Sequence, residues 1–149
     1  MNKFQLTLGM QEISTQVANL INSGRQLYVH LTPASISVNP IRYIIELYGQ
    51  AVIGVVGLEQ RGANITEIKH LVVHPAYRRH GLGVRLLQKA VDATTTEFVY
   101  GRVRSDNLTN IRNNLRIGMN PIGKTRPYRG HRMIIFARRR YGNVNKNRA

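Results

Sequence analysis

The sequence predicts a mixed α/β domain in which a mostly antiparallel sheet of about six strands is flanked by helices. Three observations predict it. Two β-branched runs, Ile41 to Tyr48 and Ala51 to Glu59, flank the turn Gly49-Gln50 and read as a hairpin. From Glu67 to Thr94 an apolar strand, a basic glycine turn and an amphipathic helix follow one another without a spare residue. A chain of 149 residues is long enough for one substantial core and too short for two comfortable domains.

In chain order, Phe4 to Leu8 alternates weakly and reads as an edge strand. Met10 to Ile21 reads as a helix, with Ile13, Val17, Leu20 and Ile21 on one side and Asn22-Ser23-Gly24 as its stop. Leu27 to Leu31 is a short apolar run. Thr32 to Pro40, with two prolines, reads as a loop or a poorly formed turn of helix. After the hairpin, a turn at Arg61 to Asn64 leads into the strand Ile65 to Val73, which Pro75 ends by removing a backbone donor. Leu82, Leu86, Leu87, Ala90 and Val91 recur with helical spacing and give the next helix, Gly83 to Thr95, an apolar face. Glu97 to Val103 is a strand, Asn107 to Ile117 a polar helix ended by Gly118, and Arg132 to Ala137 the last clear strand. The expected domain is 1–140, with 141–149 a basic tail that has little to bury. There is no internal repeat.

Composition excludes several chemistries. There is no cysteine, which removes disulfides, thiolate nucleophiles and cysteine metal ligands together. Five histidines without an H-E-x-x-H motif give no metal-site signature, so none is expected. No apolar run approaches the length of a membrane span, and the N-terminus lacks the long apolar region of a signal peptide. A cytoplasmic protein without a membrane partner is therefore expected.

The formal charge is +15, and from Arg102 onward stand 13 of the 22 basic residues with a single acid, Asp106. Such a surface draws polyanions over about one Debye length, about 8 Å at physiological salt. Arg102, Arg104, Arg112 and Arg116, with Arg126, Arg129 and Arg132 of the loop around Tyr128, form the candidate contact set for an anionic macromolecule. Nucleic acid, a ribosomal particle and an acidic protein all fit that description, as does a solvated basic face. Monomer and homodimer are both compatible with the sequence.

Arg78, Arg79, His80, Gly81, Leu82 and Gly83 make a turn whose successive N–H groups can converge on one concavity, joined by the unpaired amides that open the following helix. This is an anion cradle. It is not a P-loop, which needs Gly-Lys-Ser/Thr, nor a Rossmann turn, which needs a third glycine. Arg78-x-x-Gly81-x-Gly83, after Leu71-Val72-Val73-His74-Pro75, resembles the acyl-CoA pyrophosphate loop of the GNAT superfamily of N-acyltransferases, Gln/Arg-x-x-Gly-x-Gly/Ala. The resemblance covers nearly everything except the tail, most strongly residues 67–95.

That resemblance implies a GNAT-like fold, acetyl-CoA or another acyl-CoA as cofactor, and acyl transfer to an amine. It implies that the 78–83 turn holds the pyrophosphate and that backbone groups of Leu71, Val72 and Val73 bind the pantetheine arm. The family's matching glutamate makes Glu67 the candidate general base, its alternative being a strand-end ion pair. Strict alternation places Glu67 on one face with Val73 and His70 opposite, where it reads as a satisfied sheet histidine. His80 reads as an exposed loop residue.

Asn107-x-x-Asn110-x-x-Asn113-Asn114-x-x-x-Gly118-Met119 keeps the spacing of the family's Asn-x-x-Ala-x-x-Leu-Tyr-x-x-x-Gly-Phe helix while changing its residues. Asn107 matches the asparagine that contacts the pantetheine or caps the helix. Asn114 stands where the family has a tyrosine that protonates the departing thiolate, and an amide has no dissociable proton at neutral pH. Tyr128 is the candidate substitute in space, or a surface aromatic. An N-acyltransferase is thus the leading reading; a nucleic-acid-modifying enzyme on a GNAT-like scaffold, DNA modification included, and a non-catalytic nucleic-acid-binding protein are the alternatives.

Overall fold

The computed structural model describes residues 9–24, 30–38, 40–127 and 129–140. Helices α1 (Met10–Asn22) and α2 (Pro33–Val38) precede strands β1 (Arg42–Tyr48), β2 (Ala51–Gln60) and β3 (Ile65–Val73). A turn of 3-10 helix at Pro75–Tyr77 then leads to α3 (Leu82–Ala93), β4 (Phe98–Arg104), α4 (Leu108–Arg116), β5 (Asn120–Lys124) and β6 (Met133–Arg139). The strands form one six-stranded sheet in the order β1-β2-β3-β4-β6-β5, and only β3 and β4 run parallel. That parallel pair is the one joined through a helix, as a crossover connection requires.

The sheet separates two apolar layers. On one face α3 buries Leu82, Leu86, Leu87, Ala90 and Val91 against Val56, Leu58, Ile68, Val99 and Phe136, with Ile117 and Met119 closing the layer beside α4. On the other face α1 packs Val17, Leu20 and Ile21 on Val52, Val55 and Val72. Each such side chain contributes about 1.5–3 kcal/mol by leaving water.

Three elements depart from expectation. Where a loop or a poorly formed turn of helix is expected at 32–40, the chain forms a regular six-residue helix, closed by a reciprocal cap: Thr32 Oγ1 accepts the Ser35 N–H at 3.2 Å and Ser35 Oγ accepts the Thr32 N–H at 3.0 Å. β5 was not readable, because Asn120-Pro121-Ile122-Gly123-Lys124 has no apolar alternation and every residue of it is exposed. An edge strand tolerates the missing donor of Pro121. The edge strand expected at Phe4 to Leu8, the start of the apolar run at 27–31 and the tail at 141–149 lie outside the described residues.

The third departure positions the site. Val55 stands opposite Val72 and Gly57 opposite Lys69, so β3 carries one extra residue in that interval, where His70 has φ 55°. An extra residue reverses the alternation beyond it. Ile68 packs under α3 and so do Leu71 and Val73, whereas Val72 packs under α1. Glu67 and Val73 therefore occupy opposite faces, not the common face that strict alternation gives. The ring of His70 stacks on Tyr43, which the register places on the face of Glu67, so His70 is not opposite Glu67 either. No helix among the described residues is long and apolar enough to cross a membrane.

Candidate functional site

β3 and β4 pair only from Ile65↔Phe98 to Ile68↔Gly101, and after the bulge at His70 they part. In a lone strand, alternate peptide groups point to the same edge, so the unpaired edge of residues 69–73 presents backbone donors and acceptors to the gap. α1, α3 and α4 wall that gap into a cleft of roughly 1510 Å³. Leu71, Val72, Val73, Arg78, Arg79, Gly81, Leu82, Gly83 and Asn107 all line it. The expected cofactor residues are thus brought together, apart from His80, which is exposed and does not line the cleft.

The turn at the cleft's mouth is built for close approach. Arg79 and Gly81 both adopt positive φ, 69° and 74°, so the chain curls with its N–H groups on the inner side. Gly81 is the N-cap of α3 and makes no side-chain cap, and the helix ladder begins only with Arg85 N–H to Gly81 O at 3.1 Å. The amides of Leu82, Gly83 and Val84 stay open to a ligand at the positive end of the helix dipole. A Cβ on Gly81 would meet nothing within 4 Å, so that glycine answers the left-handed backbone; a Cβ on Gly83 would fall 2.8 Å from Asn113 Nδ2, so that one answers space. Arg78 folds back, its Nε donating to the Val73 carbonyl at 3.1 Å. That carbonyl is accordingly already engaged; because His74 N–H bonds Ile53 O and Val72 stands opposite Val55, alternation turns Val72 toward β2 and leaves Leu71 and the Val73 N–H as the backbone partners on the free edge.

α4 faces the cleft with polar residues only. Asn107 Oδ1 accepts the Asn110 N–H at 3.2 Å and so caps the helix. Asn107, Thr109, Asn110, Arg112, Asn113 and Arg116 line the same space. Arg112 and Arg116, grouped by sequence with the outer basic surface, therefore belong beside the cradle. Sequence reasoning found α1 but not its place at the site, where Gln16, Asn19 and Leu20, with the C-cap Ser23, line the opposite wall. Their spacing of about one helical turn, next to the apolar stripe, was the available signal.

Glu67 is elsewhere. It is 2% exposed and does not line the cleft. Its carboxylate accepts from Arg61 Nε at 2.9 Å, Tyr100 Oη at 2.9 Å and Arg102 Nη2 at 2.8 Å. Burial alone would raise its pKa, but the donors from Arg102, Arg61 and Tyr100, with the charge of Lys69, hold it down at about 2. A carboxylate so held takes up little proton near neutral pH, which matches the ion-pair reading better than that of a base. His70 Nδ1 lies 2.9 Å from Tyr43 Oη. Burial and the charge of Lys69 push its pKa down to about 4, and burial pushes that of Tyr43 up to about 12, so both are neutral at pH 7.

All seven acids of the chain fall among the described residues, and none lines the cleft. Arg102 is bound to Glu67, and Arg104 pairs with Asp106 at 2.6 Å while contacting the His131 ring. Arg126, Arg129 and Arg132 remain exposed on the β5–β6 connection, and Tyr128 lies outside the described residues. Among the described residues no group of His, Asp and Glu is arranged to hold a metal ion.

The family described as the acetyltransferase (GNAT) family matches residues 17–118. No curated protein matches the chain. Among solved structures, the chain is similar to the acetyltransferase of GNAT family from Streptococcus pneumoniae, at TM-score 0.73 and 13% identity, over 87% of this chain and 94% of that one. The ribosomal-protein-S18-alanine N-acetyltransferase from Escherichia coli superposes with TM-score 0.71 at 15% identity, covering 89% and 90%. The phosphinothricin acetyltransferase from Sinorhizobium meliloti, in complex with acetyl-CoA, does so with TM-score 0.67 at 17% identity, covering 87% and 82%. At these identities the likeness is one of fold.

Proposed function

As the chain belongs to the acetyltransferase (GNAT) family, we propose that it is a CoA-dependent N-acyltransferase that moves an acetyl group from acetyl-CoA, or another acyl group from its thioester, to an amine. The observation that carries this reading is the cleft itself: a left-handed turn at Arg79 and Gly81, an uncapped helix N-terminus, and a strand edge freed by the bulge at His70. When bound, the cofactor supplies the acyl thioester. Amides of residues 81–84, with Arg78, Arg79, Arg112 and Arg116 nearby, would hold its phosphates. The free edge at Leu71 and the Val73 N–H would orient the pantetheine arm and polarise the acyl carbonyl.

In the transfer a C–N bond would form at that carbonyl as the C–S bond breaks, the electron pair leaving on sulfur and the thiolate taking the second proton given up by the nitrogen. No carboxylate lines the cleft, whereas His74 and Tyr77 do; the ammonium proton would pass to solvent directly or by way of the His74 ring, and Glu67 would act at a distance by fixing Arg61, Tyr100 and Arg102 on the sheet face. The exposed Arg126, Arg129 and Arg132 support an acyl acceptor carried on an anionic macromolecule. Release of free CoA thiol from acetyl-CoA, followed with peptide amines, polyamines and nucleic acid as acceptors, tests the reading. Thiol release that requires an amine supports it; release no faster than hydrolysis with every amine, despite cofactor binding, overturns it.

A further inference from the structure

The helix position that the family fills with tyrosine is filled here by Asn114, which is 3% exposed. Its carboxamide makes two contacts, at 2.8 Å to the backbone carbonyl of Asn110 and at 3.0 Å to the side chain of Asn110. The chemistry fixes both orientations. A backbone carbonyl only accepts, so the atom of Asn114 beside it is the donor Nδ2. The Asn110 atom beside that same Nδ2 must then be an acceptor, Oδ1, and the Asn110 NH₂ is turned away from Asn114.

Asn110 is half-buried and lines the cleft. No hydrogen-bond partner for its Nδ2 occurs among the described residues, although Asn114, Asn107 and Asn113 around it are all engaged or packed. Asparagine is a poorer helix former than alanine, the residue at this place in the family pattern. A buried tether, a fixed rotamer and an unpaired donor together describe a group made to meet a ligand oxygen.

We propose that Asn110 is a cofactor-recognition residue that donates its Nδ2 hydrogen bond to a carbonyl oxygen of the pantetheine arm, with Asn114 as the positioning residue that aims it. Asn113 sits against Gly83 at the phosphate turn. One helical turn earlier, Asn110 is about 4.5 Å further along the helix, at a place where the arm rather than the phosphates would pass. The assignment rests on the CoA reading above and adds to it a donor specific to this chain.

The experiment compares two ligands by calorimetric titration: CoA, and 3′-phospho-ADP, which carries the same phosphates without the arm. Asn110→Leu, which keeps size and removes the donor, should weaken CoA about tenfold and leave 3′-phospho-ADP unchanged. Asn114→Leu, which releases the tether, should give a smaller loss for CoA alone. Equal effects of Asn110→Leu on both ligands, or none on either, overturn the assignment while the cofactor reading stands. Failure of the wild-type protein to bind either ligand overturns the cofactor reading, and the assignment with it.

Discussion

Gly83 and Asn113 approach so closely that a methyl group at position 83 would lie 2.8 Å from Asn113 Nδ2. The obstruction is the end of a flexible side chain, so Gly83→Ala should fold and displace that carboxamide toward the cleft. Cofactor affinity should then fall, and the double variant Gly83→Ala/Asn113→Ala should recover part of the loss. Losses that simply add would mean that the contact does not couple the two helices.

Gly81 answers a different constraint. With φ +74° and open space around its α-carbon, Gly81→Ala should cost about 1–2 kcal/mol of stability through backbone strain. Gly81→Asn should cost less, since asparagine tolerates the left-handed region. Chemical denaturation of the three proteins measures both differences.

Glu67 predicts the acid limb of stability. Its folded pKa of about 2 lies below the ordinary 4.5. The ion-pair network therefore stabilises fully above pH 4.5 and is lost as pH falls from there toward 2. Glu67→Gln should lower stability at pH 7 by about 2 kcal/mol, because Arg61 and Arg102 lose a charged partner but keep access to water. Its stability curve should also be flatter below pH 4.5. An unchanged acid limb would mean that the network contributes nothing.

His70 is separable from Glu67 by NMR. Its folded pKa, about 4, is below the ordinary 6.5. Over that interval the unfolded chain binds the extra proton, so stability contributed by neutral His70 is present above pH 6.5 and lost as pH falls through 4. The imidazole should show no titration near pH 6.5 in the folded protein. A midpoint near 6.5 would contradict its burial against Tyr43.

Much of this was legible in the sequence, for identifiable reasons. The apolar recurrence of Leu82, Leu86, Leu87 and Val91 specified α3, and the two glycines with their arginines specified the turn. What stayed hidden depended on pairing. One extra residue at His70 moved Glu67 away from the face of Val73 and opened the cleft, and no local pattern marks a bulge in an apolar run. β5 exists because β6 offers it an edge, whatever Pro121 and Gly123 prefer locally. The arginines looked alike as a charge count. Only the fold divides them into Arg112 and Arg116 at the cleft, Arg102 and Arg104 in ion pairs, and Arg126, Arg129 and Arg132 outside.

That division is itself testable. Arg112→Glu/Arg116→Glu should weaken CoA by more than tenfold, whereas Arg126→Glu/Arg129→Glu/Arg132→Glu should leave it almost unchanged. The triple variant should instead lose salt-dependent binding to duplex DNA, used as a polyanion probe, with the slope of log affinity against log salt falling by about 0.9 for each phosphate contact removed. The opposite pattern would reverse the assignment of the two groups.

On the reading proposed above, the turn at residues 78–83 holds an acyl-CoA. Calorimetric titration of acetyl-CoA into the wild-type protein and into a folded Gly81→Val/Gly83→Val variant tests it most directly. The wild type should bind, and the variant should lose at least about 1.4 kcal/mol, a tenfold weakening. No binding to the wild type at millimolar acetyl-CoA, or equal affinity for both proteins, would contradict it.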